Sequence, residues 1–193
     1  PAMESAEIRT AEGNRYTVFS LWDTYRNLHQ LLTLVYPERQ LEMVRSMVGM
    51  YREWGWLPKW ELYGRETFTM EGDPSIPVIV DTWMKGLRDF DMDAAYEAMR
   101  KSATTPGARN RMRPDIDPYI EKGYVPLGFY ARDLSGDNSV SHALEYYIAD
   151  HALSLLADSL GKKDDAALFR ARSLGYKNYY STESGTFRPI TKE

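Results

Sequence analysis

The 193-residue chain contains no cysteine, so disulfides, thiol nucleophiles and Cys-built zinc sites are excluded from it. Histidine is nearly as scarce. His29, His142 and His151 are scattered along the chain, which argues against a His-rich metal centre. Positive charge is not in excess either: 24 Lys and Arg stand against 28 Asp and Glu, for a net charge of −4. A nucleic-acid partner would leave a basic footprint, and a pI near 5.5 is the opposite of one. No apolar run is long enough to span a membrane, and no basic-then-apolar leader is present. A phosphate-binding glycine loop, a nucleophile elbow and a Cys–His pair are also missing.

Aromatic residues, by contrast, are plentiful: five Trp, fourteen Tyr and six Phe make up 13% of the chain. They point to a large core or to a carbohydrate-binding surface. Aromatic rings offer flat apolar faces to the C–H faces of sugars, and their polar edges hydrogen-bond. The hydrophobic fraction of 43% and the charged fraction of 27% are those of a globular chain with a packed core.

The spacing predicts helix after helix. One spans 20–36, with Ser20 as its N-cap and Pro37 as its stop. A second covers 38–54, with an apolar face at Leu41, Val44, Met47, Val48 and Tyr51 and a break at Gly55. Residues 56–73 show no helical period and read as a structured loop, with short strand pieces around 65–70 and 123–130. A third helix starts at Ser75 with Pro77 in its first turn and runs to about Gly86. Asp91 or Asp93 caps a fourth, which reaches about Ser102. Residues 103–137 are rich in Pro and Gly, with at most a short helical turn near 115–121. Such long ordered loops are usually functional or cover something. The fifth helix, 139–160, is apolar on most sides and reads as an element buried between layers. Its polar residues Glu145, Asp150 and His151 then need partners. The sixth helix runs from about Asp164 to Tyr180, before a turn at 182–185. The class expected is all-α: paired helices with long loops, stacked as in part of a helical toroid.

Two constellations carry candidate chemistry. Trp54, Trp56, Trp60, Glu61, Tyr63, Arg65 and Glu66 crowd into one Gly- and Pro-punctuated stretch. It reads as a sugar-binding wall, with Glu61 and Lys59 bonding hydroxyls, or as a loop pinned by its tryptophans with Lys59 and Arg65 paired to Glu61 and Glu66. Trp22 and Asp23 stand at a helix start. There Asp23 either answers the helix dipole or points into a cavity and accepts hydrogen bonds from a sugar diol. Asp73 and Glu145 are isolated carboxylates with a supporting role. Glycoside hydrolysis needs two carboxyl groups at a set separation, and no such pair can be named from these acids.

Taken together, the blocks FSLWDT (19–24) and GWLPKWE (55–61) resemble those of glycoside hydrolase family 92, the calcium-dependent exo-α-mannosidases. The pieces RET (65–67), MEGD (70–73), GLRDFD (86–91), GYVP (123–126), LEY (144–146) and GTFRP (185–189) continue in the family's order. Arg65, Glu71 and the Tyr147-Ile148-Ala149-Asp150 stretch depart from its usual pattern.

The resemblance implies a partial (α/α)6 toroid whose parent also carries an N-terminal β-sandwich. It implies removal of terminal α-linked mannose, with α-1,2 linkages expected, by an inverting mechanism. Asp23 would bond mannose hydroxyls, with Trp22, Trp56, Trp60 and Glu61 lining or supporting the pocket. The family's acid and base motifs do not occur in this stretch, so no catalytic residue and no calcium ligand is expected in it. The 193 residues are then expected to be one internal segment of a catalytic domain. Their partners would be mannose-terminated glycans, together with the rest of a parent chain or a self-associated copy covering apolar helix faces. A secreted, periplasmic or cell-surface bacterial parent is implied, and a non-catalytic helical carbohydrate-binding or protein-interaction module is the alternative.

Overall fold

The computed structural model describes residues 2–11, 13–129 and 138–191, and within them eight α-helices alternate with five short strands. The strands correct the all-α expectation, since they form two small antiparallel sheets. The chain divides into two units, Pro1–Ser102 and Ala103–Glu193.

In the first unit the predicted helix over 20–36 is broken in two. Ser20 makes no side-chain cap; it belongs to strand β1 (Phe19–Ser20) and pairs with Trp60. The chain passes straight from β1 into a single helical turn, α1 (Leu21–Thr24). Gln30 Nε2 then donates to Tyr25 O at 2.7 Å, taking a carbonyl that a continuing helix would have used, and α2 begins afresh over Leu28–Val35. Helix α3 (Pro37–Trp54) starts on a proline, whose missing N–H costs nothing there, and ends at Gly55 in the left-handed region (φ 92°). The stretch read as a structured loop supplies strand β2 (Trp60–Leu62), which was not expected, and β3 (Arg65–Glu66), within the strand piece expected around 65–70, in the order β1-β2-β3. Helix α4 (Ser75–Met84) buries Ile76, Val78, Ile79 and Val80. Helices α2, α3 and α4 pack against one another, around Val44, Met47, Ile76 and Ile79. Helix α5 (Met92–Thr104) is capped by Asp91, whose Oδ1 accepts the Ala94 N–H at 3.0 Å.

The second unit contains α6 (Ile116–Lys122), α7 (Ser139–Ser159), α8 (Lys163–Ser173) and the hairpin of β4 (Tyr180–Ser181) with β5 (Thr186–Phe187). No strand forms over 123–129, which corrects the expectation there; residue 130 lies outside the described residues. The sixth predicted helix ends early, at Ser173, and tightens into a 3₁₀ helix over Leu174–Asn178. A close approach explains that spot. A Cβ on Gly175 would sit 2.6 Å from Tyr147 Cε1 and 2.7 Å from Gly123 O. Helix α7 packs along α8. It is not buried on all sides, because Ile148, His151 and Leu155 face outward.

The core of this unit is built from tyrosines. Tyr119, Tyr146, Tyr147 and Tyr179 are all buried, with Val125 and Ala143 among them. Each hydroxyl finds an acceptor, as a buried phenol must. Tyr147 donates to Gly123 O at 2.6 Å and Tyr179 to Val125 O at 2.8 Å, so the side chains satisfy an irregular backbone that no ladder serves. Tyr119 and Tyr146 donate to carboxylates, at 2.8 Å to Asp150 and 2.6 Å to Asp115. Burial beside Asp150 pushes the Tyr119 phenol well above its ordinary pKa. Asp150 also pairs with Arg113 at 2.8 Å, both side chains fully buried, and Asp115 holds His142 Nδ1 at 2.9 Å. Residues 105–116, which follow α5, are thereby held in place: Arg113 and Asp115 are tied into α7.

Replacing Asp150 with Asn leaves the Arg113 charge buried without its counter-charge. That is expected to cost about 3–5 kcal/mol. Near-UV circular dichroism through a urea titration would detect it, and a wild-type midpoint for D150N would contradict the assignment.

Candidate functional site

The sheet of the first unit is organised by one carboxylate. Glu61, on β2, is 1% exposed. Its Oε1 accepts the Thr17 hydroxyl at 2.6 Å and the Gly64 N–H, and its Oε2 accepts the Val18 N–H at 2.8 Å. These bonds hold backbone that the chain would otherwise avoid. Val18 is β-branched yet sits at φ 64°, and Tyr63, Phe68 and Met70 also have positive φ around this sheet. Such residues cost on the order of 1–3 kcal/mol each unless the surroundings over-determine them. The carboxylate does so for Val18, and turns its side chain outward.

Glu66, on β3, does the same for the other side of the loop. It accepts the N–H groups of Lys59, Trp60 and Phe68 at 2.7, 2.9 and 2.9 Å. Burial raises its pKa, opposed by those three N–H groups and by the Lys59 charge. The loop is therefore pinned by carboxylate-to-backbone bonds, with Arg65 reaching Glu4 at 3.7 Å.

On this frame stands the Trp22–Asp23 turn. Ser20 pairs with Trp60 and the Leu21 N–H donates to Lys59 O at 3.3 Å, so α1 rises directly from the β1–β2 pair. Leu21 is fully buried and anchors the turn. Asp23, two residues on, is exposed, and Trp22 is half-buried. The Arg26 guanidinium lies 4.6 Å from the Trp22 ring centroid. The Trp22 indole N–H is buried with no hydrogen-bond partner among the described residues. Strand pairing thus sets Ser20, just before Trp22 and Asp23, beside half-buried Trp60, while Glu61 belongs to the frame of the sheet. Trp56 is half-buried, with the Lys101 ammonium 4.6 Å from its ring centroid and bonded to Gly55 O at 2.8 Å. Asp73 is buried and accepts the Ser102 hydroxyl at 2.8 Å, tying the start of α4 to α5. Glu145 belongs to the second unit, half-buried on α7.

Behind α1 lies a row of residues with no signature in the sequence. Thr24 Oγ1 is 3.0 Å from His29 Nε2, His29 Nδ1 is 2.9 Å from Gln40 Oε1, and Gln40 Nε2 donates to Thr82 Oγ1 at 3.0 Å. Burial lowers the His29 pKa below its ordinary 6.5, and the Gln40 bond only partly offsets this.

Among the clefts of the described residues, two of contrasting character lie elsewhere. One, of about 380 Å³, is polar, and its Arg15 and Glu53 are paired with each other. The other, of about 550 Å³, is an apolar cleft in the second unit lined by Leu144, Ile148, Tyr176 and Phe187. Neither includes Trp22 or Asp23. Among the described residues no three His, Cys, Asp or Glu side chains converge to hold a metal. Among the described residues no helix is long and apolar enough to cross a membrane.

Residues 2–193 match the model of the glycosyl hydrolase family 92 catalytic domain. Among solved structures, the chain is similar to a family 92 inverting mannosidase from Bacteroides thetaiotaomicron. The two are 33% identical with a TM-score of 0.83, over 93% of this chain and 24% of that one. It is also similar to a family 92 α-mannosidase of the same organism, solved in complex with mannoimidazole, at 36% identity and a TM-score of 0.84, over 96% of this chain and 23% of that one. An uncharacterized secreted glycosidase of Arthroderma benhamiae is 28% identical over 146 residues, which are 73% of this chain and 19% of that protein. The chain thus spans about a quarter or less of the length of these relatives.

Two predictions follow from the geometry. Glu61→Gln sets an amide NH₂ against donors that need an acceptor and should lower stability by about 2–3 kcal/mol; an unchanged thermal midpoint would remove Glu61 from its place in the frame. His29, buried and neutral, should titrate below 6.5 when its imidazole signals are followed by NMR. Because its folded pKa is depressed, its contribution to stability is present above 6.5 and is lost as pH falls towards the folded value. A His29 titration at or above 6.5 would contradict this.

Proposed function

Because this chain belongs to glycosyl hydrolase family 92, we propose that it is part of an α-mannosidase and supplies sugar contacts to that enzyme's active site. The observation that carries the reading is the exposed Asp23 carboxylate on a turn anchored by buried Leu21 and by the Ser20–Trp60 pair. An ionised carboxylate accepts hydrogen bonds from neighbouring sugar hydroxyls, and such charge-assisted bonds are about twice as strong as neutral ones. Half-buried Trp60 and Trp22 offer aromatic surface to a pyranose. The turn is held before any ligand arrives, so little ordering cost falls on binding.

The reaction proposed is hydrolysis of terminal α-linked mannose with inversion, α-1,2 linkages being preferred. Inversion requires a carboxylic acid at the leaving oxygen and a carboxylate that activates water from the opposite face. We assign neither role to an acid of this segment; both, and the calcium ligands, are placed in the remainder of a longer polypeptide whose helices complete an (α/α)6 toroid. Similarity to mannosidases over nearly the whole chain, but only a quarter of theirs, supports that division. A secreted or cell-surface location is proposed alongside.

The test compares this chain, the complete polypeptide and its Asp23→Asn form on an aryl α-mannoside and on α-1,2-mannobiose, with and without chelator. The complete polypeptide should turn over both substrates and lose activity to chelator, while this chain alone should not turn over either. Asp23→Asn should lower kcat/KM by about 10- to 100-fold, as loss of a charged hydrogen bond does. Turnover by the isolated chain would sink the placement of acid and base, and an unaffected D23N would remove Asp23 from the site. Mannose binding without turnover in the complete polypeptide would favour a carbohydrate-binding module instead.

A further inference from the structure

Helix α1 is one turn of four residues, far below the length at which a helix holds itself together. Its backbone closes with the Tyr25 N–H on Leu21 O at 2.9 Å, and no side chain caps its start. The β1–β2 pair anchors its beginning through Leu21. Its end is anchored differently. Thr24, the residue after Asp23, reaches His29 on α2, which reaches Gln40 on α3, which reaches Thr82 on α4. His29, Gln40 and Thr82 are buried, at 3%, 0% and 0% exposure, so water does not replace these partners.

The donors run in one direction. Thr82 gives its hydroxyl proton to Val78 O at 2.7 Å, so its oxygen must accept from Gln40 Nε2. That turns Gln40 Oε1 to His29, whose Nδ1 is therefore the protonated nitrogen. The neutral ring is left with Nε2 as an acceptor, and the Thr24 hydroxyl is the donor at 3.0 Å; its contact with Ser20 O is longer, at 3.3 Å. One hydroxyl proton thus links the sugar-contact turn to three packed helices.

We propose that Thr24 and His29 are positioning residues that hold the Trp22–Asp23 turn in its sugar-binding geometry, through the row Thr24–His29–Gln40–Thr82. This rests on the reading of Asp23 as a sugar contact. Neither residue touches sugar; they act through the turn. The chemistry demanded at position 24 is a hydroxyl rather than a particular shape, which separates positioning from packing. Threonine and valine have nearly the same volume, but only threonine and serine can donate to His29.

The test uses Thr24→Val and Thr24→Ser in the complete polypeptide for kinetics on an aryl α-mannoside. The same two variants in this chain are used for the Trp22 indole N–H resonance and for affinity to methyl α-mannoside. Thr24→Val should shift the Trp22 indole resonance and weaken mannoside affinity by about tenfold, the worth of roughly one hydrogen bond. The loss should appear mainly in KM. Thr24→Ser should restore both resonance and affinity, although it lacks the methyl group. Equal losses in the two variants, or a Thr24→Val form with wild-type resonance and affinity, would overturn the proposal. If neither the wild-type chain nor the complete polypeptide binds mannoside, the functional reading fails on its own. The positioning role is then decided by the resonance, upheld by a shift in Thr24→Val that Thr24→Ser reverses and overturned otherwise.

Discussion

The candidate site depends first on a buried carboxylate that touches no ligand. Glu61 gathers the Thr17 hydroxyl and the N–H groups of Val18 and Gly64 around two oxygens. Desolvating a charge is tolerable only when such donors surround it. In return the carboxylate holds Val18 at a backbone angle that a β-branched residue rarely adopts, and that angle sets the entry of β1. From β1 the chain enters α1, so the placement of Trp22 and Asp23 follows from how Glu61 is satisfied.

The second unit answers the same constraint with different chemistry. Residues 105–129 form little regular structure besides α6, yet their buried groups find partners. Tyrosine hydroxyls take the Gly123 and Val125 carbonyls, while Asp115 and Asp150 take His142, Tyr146, Tyr119 and Arg113. The high aromatic content, open at first to a core or a sugar-surface reading, here supplies core through Tyr119, Tyr146, Tyr147 and Tyr179. Tyrosine suits this work because one side chain supplies both apolar area and a donor that irregular backbone needs.

Much of the fold was legible beforehand. Pro37 and Gly55 bound α3, Asp91 caps α5, Ser75 and Pro77 mark the start of α4, and the apolar faces mark α7. A charge such as Asp150 in so apolar a helix demanded a partner, though nothing in the spacing named Arg113, thirty-seven positions earlier. The break after Thr24 was illegible because it depends on Gln30 reaching back to Tyr25 O and on Ser20 preferring a strand partner forty residues away. The short strands other than β3 were missed for the same reason. Two- and three-residue strands carry no period, and exist only because their partners are brought alongside.

By itself the sequence determined the family, through the blocks FSLWDT and GWLPKWE, and with it the residue types in the candidate site. Only the tertiary structure decided which of them reach the surface. Asp23 is exposed and Trp22 and Trp60 are half-buried, whereas Glu61, from the same motif as Trp60, points inward and is taken up by Thr17 and the backbone. The physical reason is alternation. Adjacent residues on a strand face opposite ways, so a motif that reads as one constellation along the chain is divided between a surface and the frame that supports it.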